Sequence, residues 1–187
     1  YEQNKQKQKK EDRFSLPLRK VDVYKEALVL ILKKWRQRRG LQLKGVITAK
    51  KILLEKLAYD LPYDSDHKFK MSDLLNNIPK YLEKNKALSS LNAFSTPQLI
   101  NELSERDGIL LECGPDKDEY VFLHRTFWEF LTASFINRSV EENHANVLEY
   151  VKDYFWDVER HETLALLAGL MKDPIPLLKA ITEKDDD

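Results

Sequence analysis

His124 is the side chain of this sequence whose type and position are best suited to chemistry. It stands where the extended stretch 120–123 ends, and the residues after it have the apolar spacing of an amphipathic helix. Free backbone N–H groups and the helix dipole favour anions at a helix N-terminus. An imidazole placed there can help to bind an anion. The alternative is a structural histidine that caps backbone groups.

Glu129 is the carboxylate closest in sequence to this histidine. Thr126 and Glu129 have the S/T-x-x-E spacing of a capping box, which predicts that the helix begins at Thr126. This spacing explains Glu129 without a role as a general base. Trp128 falls off the apolar stripe of the helix, and we expect it to pack against a neighbouring domain.

The remaining histidines and the single cysteine have no partners that would make a site. His67, His144 and His161 lie in polar surroundings without ligands at metal-binding spacing, and we expect them at the surface. Cys113 has no His or Asp partner that the sequence can identify. We therefore predict no catalytic residues, no metal site and no enzymatic activity for this chain.

The composition is that of a globular, mainly helical protein. Hydrophobic residues make up 42% and charged residues 33% of the 187 positions, with only five glycines. Cys113 cannot form a disulfide within the chain, and no run of about 18 apolar residues or signal peptide is present. These features predict a cytoplasmic location without a membrane span. The start at Tyr1 and the final Asp-Asp-Asp suggest a piece of a longer protein.

The net charge is zero but unevenly distributed. Residues 1–51 contain 16 Lys or Arg and 5 Asp or Glu, a balance of +11, so the rest of the chain carries −11. The basic part could contact nucleic acid, a membrane surface or the acidic half of the same molecule. No aromatic residues interleave the basic run 5–13, which favours an internal or solvated role.

Helical periodicity dominates the first hundred residues. A basic helix with an apolar stripe is predicted over 21–39 and ends at Gly40. Its stripe consists of Val21, Tyr24, Leu28, Ile31 and Trp35. A second helix is predicted from Thr48 to about Tyr59. A third is predicted to be capped by Ser72 and kinked or split by Pro79.

The period then changes from helical to extended. A helix starting at Thr96-Pro97 and ending near residue 107 precedes a β-hairpin of 109–113 and 120–123. The helices before the hairpin give the ordering of a winged helix. Two further helices, about 145–158 and 162–171, and a short one after Asp173-Pro174 complete the chain. Close helix packing is predicted at the small residues Ala165, Ala168 and Gly169.

We predict a mainly α fold, with a winged-helix domain that has one β-hairpin wing and is flanked by helical segments. The predicted segments are a linker or frayed helix end at 1–15, a connecting helix at 16–45, a winged-helix domain at 46–140 and the start of a C-terminal arm or solenoid at 141–187. Too few helix pairs are present to demonstrate a repeat.

The block 120–133 resembles the end of the winged-helix domain of NACHT-type STAND nucleotide-binding proteins, in which the pattern is roughly Y-x-F-x-H-x-x-F-x-E-[FY]-L-x-A. The matched residues are Tyr120, Phe122, His124, Phe127, Glu129, Phe130, Leu131 and Ala133. Trp128 departs from the pattern, because the family often has Gln there. Weaker similarity extends from about 16 to 171. It includes Leu16-Pro17, Tyr24, Trp35 and Gly108-Ile109-Leu110.

The resemblance implies a regulatory role in a larger ATPase. In the family, the winged-helix histidine contacts the β-phosphate of ADP and holds the closed, inactive state, so His124 is the expected ADP contact. ATP exchange then releases the domain and the protein oligomerises. The implied partners are the chain's own nucleotide-binding core, near which the helix 21–39 would pack, a C-terminal sensor domain and further copies of the protein. Members act in immune-type signalling, cell death or antiviral defence.

The nucleotide-binding core lies outside this chain. No G-x-x-x-x-G-K-[ST] motif occurs, so ADP and ATP are expected only in the full-length protein and no cofactor is expected on this part alone.

Two other function classes remain open. A winged helix that binds DNA would place 97–107 in the major groove, but this stretch has a net charge of −2 and the wing turn 114–119 is also acidic. Nucleic acid would therefore more readily contact the basic segment 5–39. A helical adaptor for protein interactions would explain the C-terminal helices, though not the position of His124.

Overall fold

The computed structural model describes residues 19–33, 44–61, 67–116, 118–143 and 146–182 of the chain. The predictions for the linker 1–15, the Leu16-Pro17 element, Trp35, Gly40 and His144 lie outside these residues. The first described helix is α1 (Lys20–Lys33), which buries Val21, Leu28 and Leu32. These residues belong to the apolar stripe predicted for it or adjoin that stripe.

Two helices and a short strand lead toward the sheet. Helix α2 spans Lys44–Asp60, strand β1 spans Phe69–Lys70 and helix α3 spans Met71–Lys84. The predicted starts at Thr48 and Ser72 are wrong. Helix α2 begins at Lys44, four residues before Thr48, and α3 begins at Met71, before Ser72. At the start of α3 the Lys70 N–H donates to the Asp73 carboxylate at 3.0 Å. Asp73, the third residue of the helix, thereby binds the backbone of the capping residue Lys70, as the third residue of a capping box does.

Helix α3 continues through Pro79, so the predicted split does not occur. Proline removes one backbone hydrogen bond inside a helix. Burial of Leu74 and Ile78 keeps this stretch helical, since packing of the apolar face supplies most of a helix's stability in a protein. A 3-10 turn, Lys86–Leu91, then leads the chain to the next helix.

The fourth helix, α4, spans Thr96–Asn101 and continues as a π-helical turn over Glu102–Arg106. Its start agrees with the prediction from Thr96-Pro97. Ser95 and Gln98 form a capping box: the Ser95 N–H donates to Gln98 Oε1 at 2.8 Å, and the Gln98 N–H donates to Ser95 Oγ at 3.4 Å.

The predicted hairpin is confirmed and is part of a larger sheet. Strands β2 (Leu110–Cys113) and β3 (Glu119–Phe122) pair antiparallel, and β1 pairs with the other side of β3. Strand β1 was not predicted, since a two-residue strand has no alternation to detect.

Helix α5 (Arg125–Asn143) follows the sheet directly. The predicted helix 145–158 is broken into α6 (Val147–Val151), a 3-10 turn at Lys152–Tyr154 and another at Val158–Arg160. The Asp157 carboxylate accepts a hydrogen bond from the Glu159 N–H at 2.9 Å, and this local bond starts a new turn instead of continuing the helix. Helices α7 (His161–Leu170) and α8 (Ile175–Thr182) complete the described chain.

One apolar core joins the N-terminal, central and C-terminal helices. Helix α7 packs against both α5 and α1, and α2 packs against α5. A Cβ atom added to Gly169 would lie 3.0 Å from Val21 Cγ1, which confirms the predicted close packing at this glycine. The core includes Leu28, Leu53, Leu57, Ile78, Phe130, Leu131 and Leu167. The described helices include none that is both long and apolar enough to cross a membrane.

Candidate functional site

His124 lies at the junction of β3 and α5 and caps the helix with its own side chain. The Thr126 N–H donates to His124 Nδ1 at 3.2 Å, and the Phe127 N–H donates to the His124 carbonyl at 2.9 Å. The predicted capping box at Thr126 is therefore wrong. The helix begins one residue earlier, because the imidazole supplies the acceptor that a Ser or Asp usually supplies at this position.

These contacts fix the tautomer of the neutral His124 ring. A backbone N–H can only donate, so Nδ1 is an acceptor and the proton is on Nε2. Thr126 Oγ1 lies 2.6 Å from the same Nδ1 atom and also holds the ring in place. The side chain is exposed, and within the described part of the chain Nε2 has no hydrogen-bond partner. An N–H donor is thus presented at the positive end of a 19-residue helix.

Glu129 lies one turn further along α5 and takes no part in capping. Its side chain is buried, and its Oε1 atom pairs with Arg125 Nε at 2.9 Å. A carboxylate paired in this way holds the first turn of α5 together. The predicted capping role of Glu129 is therefore wrong, and the ion pair with Arg125 explains its position.

Arg125 also reaches out of α5 to the C-terminal part of the chain. Its Nη1 atom lies 2.6 Å from Glu159 Oε2, and its Nη2 donates to the Glu159 carbonyl oxygen at 2.8 Å. The guanidinium therefore binds one carboxylate within α5 and one residue of the 3-10 turn Val158–Arg160. Arg125, the residue next to His124, is therefore held both by Glu129 within α5 and by Glu159 in this turn.

Trp128 is buried inside the described chain, with 7% of its surface exposed. Its indole N–H donates to the Ala58 carbonyl at the end of α2, with an N···O distance of 2.8 Å. The Arg160 guanidinium lies over its ring, 4.6 Å from the centroid. Trp128 therefore packs between α2 and Arg160, and Arg160 belongs to the segment 141–187 that was predicted to follow the winged-helix domain.

A buried ion cluster joins α2 to the residues that follow α4, and it was not predicted from the sequence. Lys50 Nζ lies 3.0 Å from Glu102 Oε2 and 2.5 Å from Asp107 Oδ2, and the Lys50 side chain is fully buried. Arg106 pairs with the other Glu102 oxygen at 2.5 Å. A signal existed, because Lys50 has the spacing i, i+3, i+4, i+7 with the buried leucines of α2.

This cluster lowers the negative surface charge of the stretch 97–107, which would face DNA in a DNA-binding winged helix. Glu102 and Asp107 were counted as surface charges of the recognition stretch 97–107, but both are buried and paired. Of the charged residues in the stretch 97–107, only Glu105 and Arg106 are exposed. The stretch itself is therefore close to neutral at the surface.

The groove beside α4 is nonetheless acidic. A shallow cavity of about 300 Å³ lies between α4 and the sheet, with Glu105 and Glu112 in its lining. The Tyr120 hydroxyl donates to Glu112 Oε1 at 3.4 Å. Burial, followed by the charge of Glu112, raises the pKa of Tyr120 above its ordinary value. A phosphate backbone would meet carboxylates in this groove.

His67, His161 and Cys113, the other described residues considered from sequence, belong to no group that could hold a metal ion. His161 is exposed, and its Nε2 lies 3.4 Å from the Phe155 carbonyl oxygen. His67 is half-buried and has a positive φ of 57°. Burial raises the pKa of the half-buried Cys113 thiol, which disfavours the reactive thiolate.

Comparison with known families identifies the domain. Residues 20–136 match the model of a winged helix-turn-helix domain C-terminal to NACHT, and this match runs from the start of α1 into α5. No curated protein and no solved structure is significantly similar to the chain. The matched residues include the hairpin and His124, which agrees with the resemblance carried by the block 120–133. The chain belongs to the family of winged helix-turn-helix domains that lie C-terminal to NACHT modules.

Proposed function

We propose that this chain is the nucleotide-responsive latch of a NACHT-type STAND ATPase. In the full-length protein His124 would donate its Nε2 hydrogen to the β-phosphate of ADP held by the NACHT module, and so stabilise the closed, inactive state. Replacement of ADP by ATP would remove this contact and allow the protein to oligomerise. The chain supplies regulation, while the nucleotide-binding and hydrolytic residues belong to the NACHT module.

The observation that carries this proposal is the orientation of the His124 ring. Its Nδ1 atom is occupied by the Thr126 N–H and hydroxyl, and so the remaining N–H is on Nε2 of an exposed side chain. Backbone N–H groups of the first turn and the helix dipole add positive potential at the same place. A donor that is already oriented loses little entropy when a phosphate binds.

The energy available suits a switch. A hydrogen bond to a charged phosphate oxygen contributes on the order of 1.5–3 kcal/mol. Such a contribution would change a closed-to-open ratio by roughly ten- to a hundredfold. This is sufficient to bias a two-state equilibrium and too small to make it irreversible. The proposed role in immune-type or antiviral signalling in the cytoplasm rests on the same mechanism.

The test compares two substitutions of His124 in the full-length protein, which contains the NACHT module. His124→Ala removes both the cap and the outward donor. His124→Asn retains a side-chain acceptor for the Thr126 N–H but lacks the outward Nε2 hydrogen. Arg138→Met, on the same helix that His124 caps and paired with Glu55 and Glu142, is the control. The measurement is the amount of ADP released when each purified protein is denatured.

We expect bound ADP in the wild type and in Arg138→Met, and a large loss in both His124 variants. Retention in His124→Asn together with loss in His124→Ala would show that the histidine acts only as a cap. Equal ADP in all four proteins would remove any role of His124 in holding nucleotide. If the wild type contained no nucleotide, the adaptor function would be favoured instead.

A further inference from the structure

The guanidinium of Arg125 links the first turn of α5 to the C-terminal part of the chain. Two of its three nitrogen atoms contact Glu159, at 2.6 Å through the carboxylate and 2.8 Å through the carbonyl oxygen. The third contacts the buried Glu129 at 2.9 Å. A planar guanidinium held at all three nitrogens has one orientation, unlike a lysine ammonium.

Neighbouring contacts hold the same part of the chain. The Arg160 guanidinium lies 4.6 Å from the Trp128 ring centroid and 4.9 Å from that of Tyr154. Lys20 at the start of α1 forms an ion pair with Glu162 in the first turn of α7, and this contact raises the pKa of Lys20. Glu159 and Arg160 therefore contact α5, and Glu162 contacts α1. They lie beyond residue 136, where the family match ends.

We propose that Arg125 is a positioning residue that couples the C-terminal helical segment, through Glu159, to the nucleotide contact of His124. This inference rests on the proposed function. His124 is fixed to the first turn of α5 by its cap, and that turn is fixed to 158–160 by Arg125. Movement of the C-terminal segment therefore displaces the Nε2 donor. By reciprocity, ADP on His124 stabilises the Arg125–Glu159 contact.

The test measures the rate of ADP release from the full-length protein. Arg125→Met removes the guanidinium, and Glu159→Gln removes only the carboxylate. Because the Arg125 and Glu159 side chains are 36% and 55% exposed, we expect each change to accelerate release about two- to fivefold. The double variant should release ADP no faster than the faster single variant, since both changes break one link.

Arg138→Met is the matched control. Arg138 lies on the same helix and pairs with Glu55 and Glu142, away from residues 158–162. Its ADP release rate should equal that of the wild type. Glu159→Gln carries the test if Arg125→Met fails to fold, because it leaves the buried Glu129 paired. Hydrogen exchange gives a second readout: ADP should slow exchange in 158–162 in the wild type but not in Glu159→Gln.

The outcomes separate this inference from the function on which it rests. Faster release in His124→Asn with wild-type rates in Arg125→Met and Glu159→Gln would overturn the coupling and leave the latch intact. Multiplicative effects in the double variant would mean two independent contributions and would also overturn it. Unchanged release in His124→Asn would refute the latch itself.

Discussion

Replacement of Lys50 by methionine should cost more stability than any single surface change in this chain. Methionine has about the length of the lysine stem, so the change removes the charge and leaves little cavity. Glu102 would keep Arg106, but Asp107, whose side chain is 1% exposed, would lose the ammonium group 2.5 Å away. Removing one partner of a buried ion pair typically costs about 3–5 kcal/mol, because the other charge stays buried. At this chain length that lowers the midpoint of thermal unfolding by about 6–20 °C.

Denaturant unfolding followed by circular dichroism would measure the loss in free energy of unfolding. Lys51→Met is the matched control, since Lys51 is half-exposed, lies 3.6 Å from Glu55 and should cost less than about 1 kcal/mol when removed. Adding Asp107→Asn to Lys50→Met should restore at least about 1 kcal/mol, because it removes a buried charge that has lost the Lys50 ammonium group. A cost below about 1 kcal/mol for Lys50→Met, or no recovery with Asp107→Asn, would refute the argument that the cluster is electrostatically coupled.

Three further predictions concern tyrosine ionisation, the buried indole and DNA. Burial and the hydrogen bond to Asp60 raise the pKa of Tyr81 above its ordinary value near 10. The contribution of the Tyr81 hydroxyl to stability is therefore complete below pH 10, and it is lost as the pH rises through the higher pKa of the folded state. Tyr81→Phe should cost about 1 kcal/mol at neutral pH and weaken this alkaline loss in pH-dependent denaturation; an unchanged alkaline slope would contradict it. Trp128→Phe should cost about 1 kcal/mol in denaturant unfolding, because the Ala58 carbonyl loses its indole donor, and a neutral result would mean that this hydrogen bond contributes no net stability. Fluorescence anisotropy should show no sequence-specific binding of duplex DNA at physiological salt, since carboxylates line the groove beside α4. Tight, specific binding would contradict the argument that these carboxylates repel the DNA phosphates.

The parts of the fold that were predicted from sequence have local causes. The alternation in 120–123 and the acidic Gly-Pro turn before it specify the hairpin, and helical apolar spacing specifies α1 and α5. The position of His124 between strand and helix follows from the same change of period. The hydrogen bonds of His124 were predicted less well. A cap formed by His124 and a capping box formed by Thr126 place the start of the helix only one residue apart, so the residue pattern does not distinguish them.

The errors share a different cause. Thr48, Ser72 and Thr126 were each chosen as caps because of their residue type, yet each lies inside its helix. A hydroxyl residue can occupy a helix interior when neighbouring residues supply the cap and tertiary packing supplies the stability. The same packing keeps α3 continuous at Pro79.

The sequence by itself determined the helices before the hairpin, the hairpin, the family and the place of His124, because each depends on residues within one or two turns of the chain. Tertiary structure decided which polar groups meet. Lys50 and Asp107 are separated by 57 positions, Trp128 and Ala58 by 70, and Arg125 and Glu159 by 34. No local period encodes such pairs, since each forms only when packing of the shared core brings distant parts of the chain together.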